Sequence, residues 1–560
     1  MPSFLQRLLL LALGLHALAG WAAGPVLTLH LRPTYAQPGQ ANGLGVSYSL
    51  SAPTAKPRLL DLRFAMLVPF LVRNADQVTN LIVTDARGQV PMAKPTIREA
   101  NGETTQHWPA SRPVLGTVHV AYRVPVASAI APKRGPHVDL QAAGGGVAGG
   151  GQGFLLLPAL PAAFTLRLVW QLAPGTTAVS SYGAGDLVAQ TTAEELTNAQ
   201  FLAGPLYHYP AHPSNHGFSA YGLGKTAAEM DAPMAAAEHV YELQRQAFGG
   251  SAAQSFRFFF RSYAGSPFSS GVAAPGFFMM YLPPQVKLSD VHERATIAHE
   301  IVHAWGLGLK AKPLLDDWYT EGIADYFALT LPYAAGLYSQ ADYLALLNTD
   351  ASWYYTNAQR LTPDRDVPAG KWAGRNAWTL SYARGMLYFA NLDAKLRQAG
   401  SPHTVLSFAN ELLKMQRAGH APTAQDWAAL LGREAGPWAV ADWQAMVDGQ
   451  LLRPEPGAFG PAVVSQPVST GFFDLGFAEP VSLLAGKRIK GLVAGSPAAM
   501  AGLREGDELL EAVNLIPVYS SFQQPITLRV RRGAEVLSIT YQPRTGQAQA
   551  WEWVAAPSRP

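Results

Sequence analysis

His299-Glu300-Ile301-Val302-His303-Ala304-Trp305, followed by Trp318-Tyr319-Thr320-Glu321-Gly322-Ile323-Ala324-Asp325-Tyr326, is the stretch whose reading decides the fold. Residues four apart lie one above the other on a helix, so His299 and His303 can aim imidazole nitrogens at a single metal ion. Glu300 sits beside them without ligating, placed to act as a general base. Seventeen residues separate His303 from Glu321, room for a turn and a second helix running back past the first. Glu321 is therefore the candidate third ligand, leaving the fourth position of a catalytic zinc site open. Asp325 follows one turn later on the same face. Ligating histidines usually donate their second ring nitrogen to a carboxylate, which makes Asp325 the candidate partner of a ligand histidine. The donor set predicts one Zn2+ per chain.

The flanks predict helices at both places. Ser289 or Asp290 can cap the first, Glu293 stands in a capping-box relation to Asp290, and Gly306 and Gly308 can stop it. Ile297, Ala298, Ile301, Val302, Ala304 and Trp305 make this helix apolar nearly all round, so it should be buried. Asp316 or Asp317 can cap the second, and Pro332 lies near its end. Polar ligands in so apolar a helix are costly unless paired, and a metal resolves that cost.

These strings resemble the gluzincin metallopeptidases. The whole-chain layout is most similar to the glycyl aminopeptidase family: an export signal, a β-rich N-terminal domain, a catalytic domain and a C-terminal PDZ domain. Ser381-Tyr382-Ala383-Arg384-Gly385 resembles the Tyr-x-Lys-Gly segment of gluzincin aminopeptidases. The resemblance implies that the Tyr382 hydroxyl hydrogen-bonds the oxyanion of the tetrahedral intermediate, with Arg384 keeping the positive charge of the lysine it replaces. Relatives of the leukotriene hydrolase carry a Gly-x-Met-Glu-Asn loop whose Glu grips the substrate amine. Here the corresponding stretch, Gly271-Val272-Ala273-Ala274-Pro275, has no carboxylate. The following run, Phe277, Phe278, Met279, Met280, Tyr281 and Leu282, looks like the edge strand along which peptide substrates lie by main-chain pairing. The gap to the third ligand is nearer that of the leukotriene-hydrolase relatives than that of the glycyl aminopeptidases.

Around the site, composition and punctuation suggest a multidomain chain of 560 residues. Residues 1–23 read as a secretory signal, with Arg7, an apolar run from Leu8 to Leu13 and small residues at Ala22-Ala23. Such a leader predicts a periplasmic or secreted protein with no membrane span after its removal. The absence of cysteine excludes disulfides and thiolate ligands. A net charge of +3 and 14% charged residues give nothing for nucleic acid to bind. Residues 25–180 alternate short β-rich runs with turns and predict a sandwich-like or saddle-shaped β domain, with Gly144–Gly153 as a flexible surface loop. Residues 190–452 are expected to form an α+β, thermolysin-like, mainly helical catalytic domain. Within it His208, His212 and His216 read as loop residues because Pro210 and Pro213 break any helix through them. Trp353, Tyr354 and Tyr355 suit either a substrate-pocket wall or the core.

A Pro-rich linker at 453–465 leads to residues 466–545, where Gly495-Ser496-Pro497-Ala498-Ala499-Met500-Ala501-Gly502-Leu503-Arg504-Glu505-Gly506-Asp507 resembles bacterial PDZ domains. This implies a β-barrel-like domain that binds peptide C-termini by strand addition, with Leu475, Gly476 and Phe477 as its candidate carboxylate loop. A PDZ domain serving only as structure is the other reading. The expectation for the chain is an exported zinc metallopeptidase acting on peptide or protein substrates, an aminopeptidase by family resemblance. The alternatives are an endopeptidase of the same mechanism, or a catalytically silent zinc- and peptide-binding scaffold.

Overall fold

The computed structural model describes residues 25–51, 59–68, 71–72, 78–100, 103–127, 138–160, 162–212, 217–250, 255–263, 269–310, 316–367, 375–478 and 485–557. The leader-like residues 1–23 and His216 lie outside them. The chain divides into two compact units, one of residues 1–128 and Val138–Leu206, the other centred on Tyr207–Pro560.

Period-two alternation builds the first unit. Leu27, Leu29 and Leu31 all face the core from Val26–Gln37, as do Leu44, Val46, Tyr48 and Leu50 from Gln40–Leu50, and Val118, Val120, Tyr122 and Val124 from Val118–Pro125. The main sheet is ordered Leu187–Thr191, Phe164–Trp170, Val26–Gln37, Gln40–Leu50, Val118–Pro125, Thr79–Asp85, Gly88–Gln89. It is antiparallel apart from the pairing of Val26–Gln37 with Phe164–Trp170. Two buried tyrosines satisfy their hydroxyls on one segment: Tyr48 donates to Leu156 O at 2.8 Å and Tyr122 to Phe154 O at 3.0 Å. The expected loop at Gly144–Gly153 is instead largely a buried strand, Gly146–Gly150, and a turn of 3-10 helix, Gly151–Gly153. The glycines there serve close packing, since a Cβ on Gly151 would meet Leu196 O at 2.3 Å and one on Gly153 would meet Val138 O at 2.5 Å. Helix α1 (Ala193–Asn198) carries a capping box between Thr192 and Glu195.

The second unit begins with a five-stranded sheet ordered Tyr207–Tyr209, Phe218–Leu223, Phe256–Ser262, Phe277–Leu282, Ser270–Ala274. The middle three strands are parallel, and Ser270–Ala274 closes the edge in antiparallel register. The edge-strand expectation for Phe277, Phe278, Met279 and Met280 is thereby corrected. Phe277–Leu282 is buried at every position and paired on both sides, so its backbone is not open to a peptide. A continuous apolar run signals a strand covered on both faces, and such a strand is an interior one. Among the described residues the edge on this side of the sheet is the half-buried Ser270–Ala274 strand, which includes the carboxylate-free Gly271–Ala274 segment.

Helices follow: α2 (Ala227–Ala247), α3 (Val291–Ala304), α4 (Asp317–Ala334), α5 (Gln340–Tyr355), α6 (Arg375–Gln398), α7 (Val405–Arg417), α8 (Ala424–Glu434) and α9 (Pro437–Val447). Among the described residues none is long and apolar enough to cross a membrane. The segment after α9 is fixed in place. Asn391 brackets it by donating to Arg453 O at 2.8 Å and accepting from Glu455 N at 2.9 Å, and Phe459 is buried in the core of the helical region.

The C-terminal strands form a long antiparallel ribbon, Val463–Phe473 with Arg544–Ala555, and a three-stranded sheet of Glu508–Leu509, Ile526–Arg532 and Glu535–Tyr541. Among the described residues these make two small sheets and not the barrel-like closure expected. The Gly495–Asp507 run folds as its composition predicts. Ser496 Oγ caps the one-turn helix α10 (Pro497–Met500), Gly495, Gly502 and Gly506 take positive φ, and Leu509 is the buried last residue of the short strand Glu508–Leu509. Asn348 of α5 ties the ribbon down through paired bonds with Trp553, each of 2.8 Å.

Candidate active site

Helix α3 presents the first two ligands. Asp290 occupies its N-cap without a side-chain cap bond, and Glu293 is turned aside to accept from Ser269 Oγ at 2.6 Å, so the expected capping box does not form. Gly306, at φ 80°, ends the helix as predicted. Ile297, Ala298, Ile301 and Val302 are buried, and Gln244 of α2 donates to Ala298 O at 2.8 Å. These contacts fix the helix backbone. Helix α4 runs back past α3 and carries Glu321 and Asp325, as the spacing required.

The side chains converge. His299 Nε2 lies 2.9 Å from His303 Nε2, while Glu321 Oε2 is 3.2 Å from His303 Nε2 and 3.4 Å from His299 Nε2. Tetrahedral zinc with bonds of about 2.0–2.1 Å places its ligand atoms roughly 3.3 Å apart, so this triangle fits the ion. Among the described residues it is the one group of three or more such side chains arranged to hold a metal. Asp325 Oδ1 sits 2.6 Å from His299 Nδ1, on the far side of the ring. That bond assigns the Nδ1 proton and leaves the Nε2 lone pair for the metal. Burial disfavours a charged His299, but Asp325, Glu321 and Glu300 outweigh it and drive its pKa well up. The site is thus strongly negative and suited to a cation. Burial raises the pKa of Glu300, and Glu321 and Asp325 push the same way against the pull of His303 and His299. A carboxylate shifted in this direction is a better proton acceptor.

Tyr382 reaches the site from α6. Its ring stacks on His299, centroids 5.6 Å apart and planes 19° apart. Burial and the nearby carboxylates of Glu321, Glu300 and Asp325 hold its pKa far above the usual phenol value, so the hydroxyl stays protonated and able to donate; a hydrogen bond from Trp378 opposes this shift. What sets the distance between α4 and α6 is a pair of facing glycines. A Cβ on Gly322 would meet Gly385 Cα at 2.4 Å, and one on Gly385 would meet Trp318 O at 1.8 Å. Gly322 is next to Glu321 and Gly385 is three residues beyond Tyr382, so this contact governs how closely the two functional side chains approach. Arg384, buried at 1% exposure, turns away from the metal ligands and ties down the preceding loop, donating to Arg360 O and Thr362 O at 3.0 and 2.6 Å.

Two features escaped the sequence reading. Asp350 of α5 is buried, and burial together with Asp325 keeps its carboxyl well above the usual range. Its signal was a lone carboxylate in an apolar helical stretch. Asp364 accepts from the backbone of Asp316 at the start of α4, where the capping candidate Asp316 itself sits at φ 68° without a side-chain cap bond. Trp353 stands beside Tyr382. Its neighbours Tyr354 and Tyr355 are fully buried core residues whose hydroxyls bond the backbone of Leu452. His208 stacks on Tyr221 at 4.7 Å and belongs to no metal cluster among the described residues. At the candidate carboxylate loop, Leu475 and Phe477 are buried, and the Gly476 N–H is taken by Asp474 Oδ1 at 2.8 Å.

No protein-family model and no curated protein matches the chain. Among solved structures it is similar to an aminopeptidase N family protein from Idiomarina loihiensis, with a TM-score of 0.67 and 15% identity over 94% of this chain and 98% of that one. An M1 zinc metallopeptidase from Deinococcus radiodurans gives a TM-score of 0.47 at 17% identity, covering 77% of this chain and 95% of its own. Yeast LTA4 hydrolase gives 0.48 at 14% identity, covering 78% and 69%. The chain therefore has the fold of the Idiomarina aminopeptidase N family protein along nearly its whole length, with a His-His-Glu zinc site built into it.

Proposed function

We propose that this protein is a zinc-dependent peptidase that hydrolyses peptide bonds, and an aminopeptidase in preference to an endopeptidase. The convergence of His299 Nε2, His303 Nε2 and Glu321 Oε2 within 3.4 Å of one another carries the reading. Zinc held there supplies Lewis-acid polarisation of the scissile carbonyl and lowers the pKa of water to about 7. Glu300 accepts the proton of the attacking water and returns it to the leaving amine. Tyr382 donates its hydroxyl proton into a hydrogen bond with the oxyanion, where charge develops. Asp325 holds His299 in the Nδ1–H tautomer throughout. The Ser270–Ala274 edge offers main-chain pairing to an extended peptide.

The aminopeptidase preference rests on resemblance to the gluzincin aminopeptidases, the glycyl aminopeptidase family among them. The missing carboxylate in Gly271–Pro275 supports the endopeptidase alternative. A silent scaffold has no use for Glu300, which argues for turnover. The leader-like residues 1–23 support export to the periplasm or beyond, and the Gly495–Asp507 run supports a PDZ-like C-terminal region. A peptide C-terminus docking at Leu475-Gly476-Phe477 would first have to displace Asp474 from the Gly476 amide.

The test is zinc-dependent cleavage of one peptide series made with free and with acetylated N-termini, using Glu300→Gln as the blank. Cleavage of the free series alone supports the aminopeptidase. Internal cleavage of blocked peptides makes the protein an endopeptidase. Tight zinc binding without cleavage of either series sinks the enzyme reading for these substrates.

A further inference from the structure

Besides His299, two indoles pack around the Tyr382 ring. Trp378, one turn earlier on α6, has its ring 5.6 Å from the tyrosine ring, and Trp353, near the end of α5, stands edge-on at 6.4 Å with an interplanar angle of 84°. The indoles lie 5.4 Å apart. Tilted and edge-on aromatic pairs at these separations are attractive and directional, so together with the His299 stack they fix the tyrosine ring.

Trp353 is itself held from outside the catalytic helices. Its Nε1 donates to Ser520 Oγ at 2.8 Å and its ring packs on Tyr519 at 5.8 Å. The preceding residue, Ser352, is fully buried and donates to Tyr519 O at 2.9 Å. Tyr519 closes the one-turn helix α11 (Ile516–Tyr519), within the C-terminal region expected to form the PDZ domain. Trp353 is half-buried, and the bond of its N–H to Ser520 favours one placement of the ring over others.

We infer that Trp353 is a positioning residue for Tyr382 and that Ser520, reaching it from the C-terminal region, latches its indole in place. The inference rests on the reading of Tyr382 as oxyanion donor. It makes the C-terminal region part of the catalytic apparatus and not only a docking module. Any ligand that moves residues 516–520 would act on turnover along this path.

The experiment measures kcat, KM, zinc content and melting temperature for Ser520→Ala, Ser520→Thr and Trp353→Phe in the full chain, each alone and combined with Tyr382→Phe, on a peptide that the wild type cleaves. Ser520→Ala and Trp353→Phe should lower kcat roughly tenfold, with KM and zinc content unchanged, against about a hundredfold for Tyr382→Phe. Ser520→Thr keeps the acceptor and should restore kcat. In the Tyr382→Phe background the Ser520 and Trp353 changes should be silent, because residues acting as one unit are not additive. A loss of equal size in both backgrounds, or wild-type kcat in Ser520→Ala while Tyr382→Phe is impaired, overturns this inference alone. Wild-type kcat in Tyr382→Phe overturns the reading beneath it and the inference with it.

Discussion

Gly385→Ala tests how the site is held together. The new methyl would lie 1.8 Å from Trp318 O, 2.8 Å from Gly322 Cα and 2.9 Å from Trp318 C. All three are backbone atoms of α4, so no side chain can swing aside and the helices must part. Moving from 1.8 Å to an ordinary contact of 3.4 Å requires a local displacement of up to 1.6 Å. Overpacking of this kind costs about 1–3 kcal/mol, and the better helix propensity of alanine offsets up to about 1 kcal/mol of it. The expected net destabilisation is about 2 kcal/mol. Activity should suffer more, because the same displacement moves Tyr382 away from Glu321, and misplacement by about 1 Å can cost a hundredfold in rate. Thermal melts and kcat would be measured on one preparation, with Gly432→Ala as the comparison. Gly432 lies within α8 and its methyl would meet only Val440 Cγ2 at 3.5 Å, so that variant should match or slightly exceed wild-type stability. A Gly385→Ala protein that melts and turns over like the wild type would refute the idea that these glycines set the separation of α4 and α6.

Asp325→Asn should weaken zinc binding by about 10–100-fold, because His299 loses the carboxylate that orients it, and competition with a chelator measures this directly. Asp364 has its pKa pushed up to about 6, chiefly by burial, against the pull of Arg384. A carboxyl whose folded pKa lies above its unfolded value of 3.8 favours folding when protonated; that contribution is complete below the unfolded pKa and is lost as pH rises through 6. The difference of about two units corresponds to roughly 3 kcal/mol, so Asp364→Asn should flatten the fall in stability between these pH values in denaturant titrations; an unchanged slope would remove Asp364 as its source. In the first unit, Arg112 bonds the fully buried carboxylate of Asp85 through both terminal nitrogens, at 2.7 and 2.9 Å. Arg112→Ala removes both bonds but leaves Asp85 the backbone amides of Arg87 and Leu115, at 2.8 and 2.9 Å, and should lower the midpoint of thermal or denaturant unfolding of this unit.

The ligand set was legible because its information is local. His299 and His303 on one helical face, Glu321 after a turn, and Asp325 four residues later all follow from helix geometry, and the structure assembles them that way. The alternation in Val26–Gln37 and the turn signals of Gly495–Asp507 were legible for the same reason. The Gly144–Gly153 run misled because glycine permits both a loop and a tightly approached strand, and only its neighbours, Leu196 and Val138, decide between them.

What the sequence by itself determined is therefore the chemistry: which side chains share a helix face, which donors suit zinc, and where helices and strands begin. Tertiary structure alone decided that Phe277–Leu282 is an interior strand, which glycines bring α4 against α6, that Asp364 serves the start of α4, and that Ser520 reaches Trp353 beside Tyr382. Periodicity and capping act over a few residues and leave a local trace. Edges, close approaches and latches depend on partners tens to more than a hundred residues away, and nothing in the local pattern records which partner arrives.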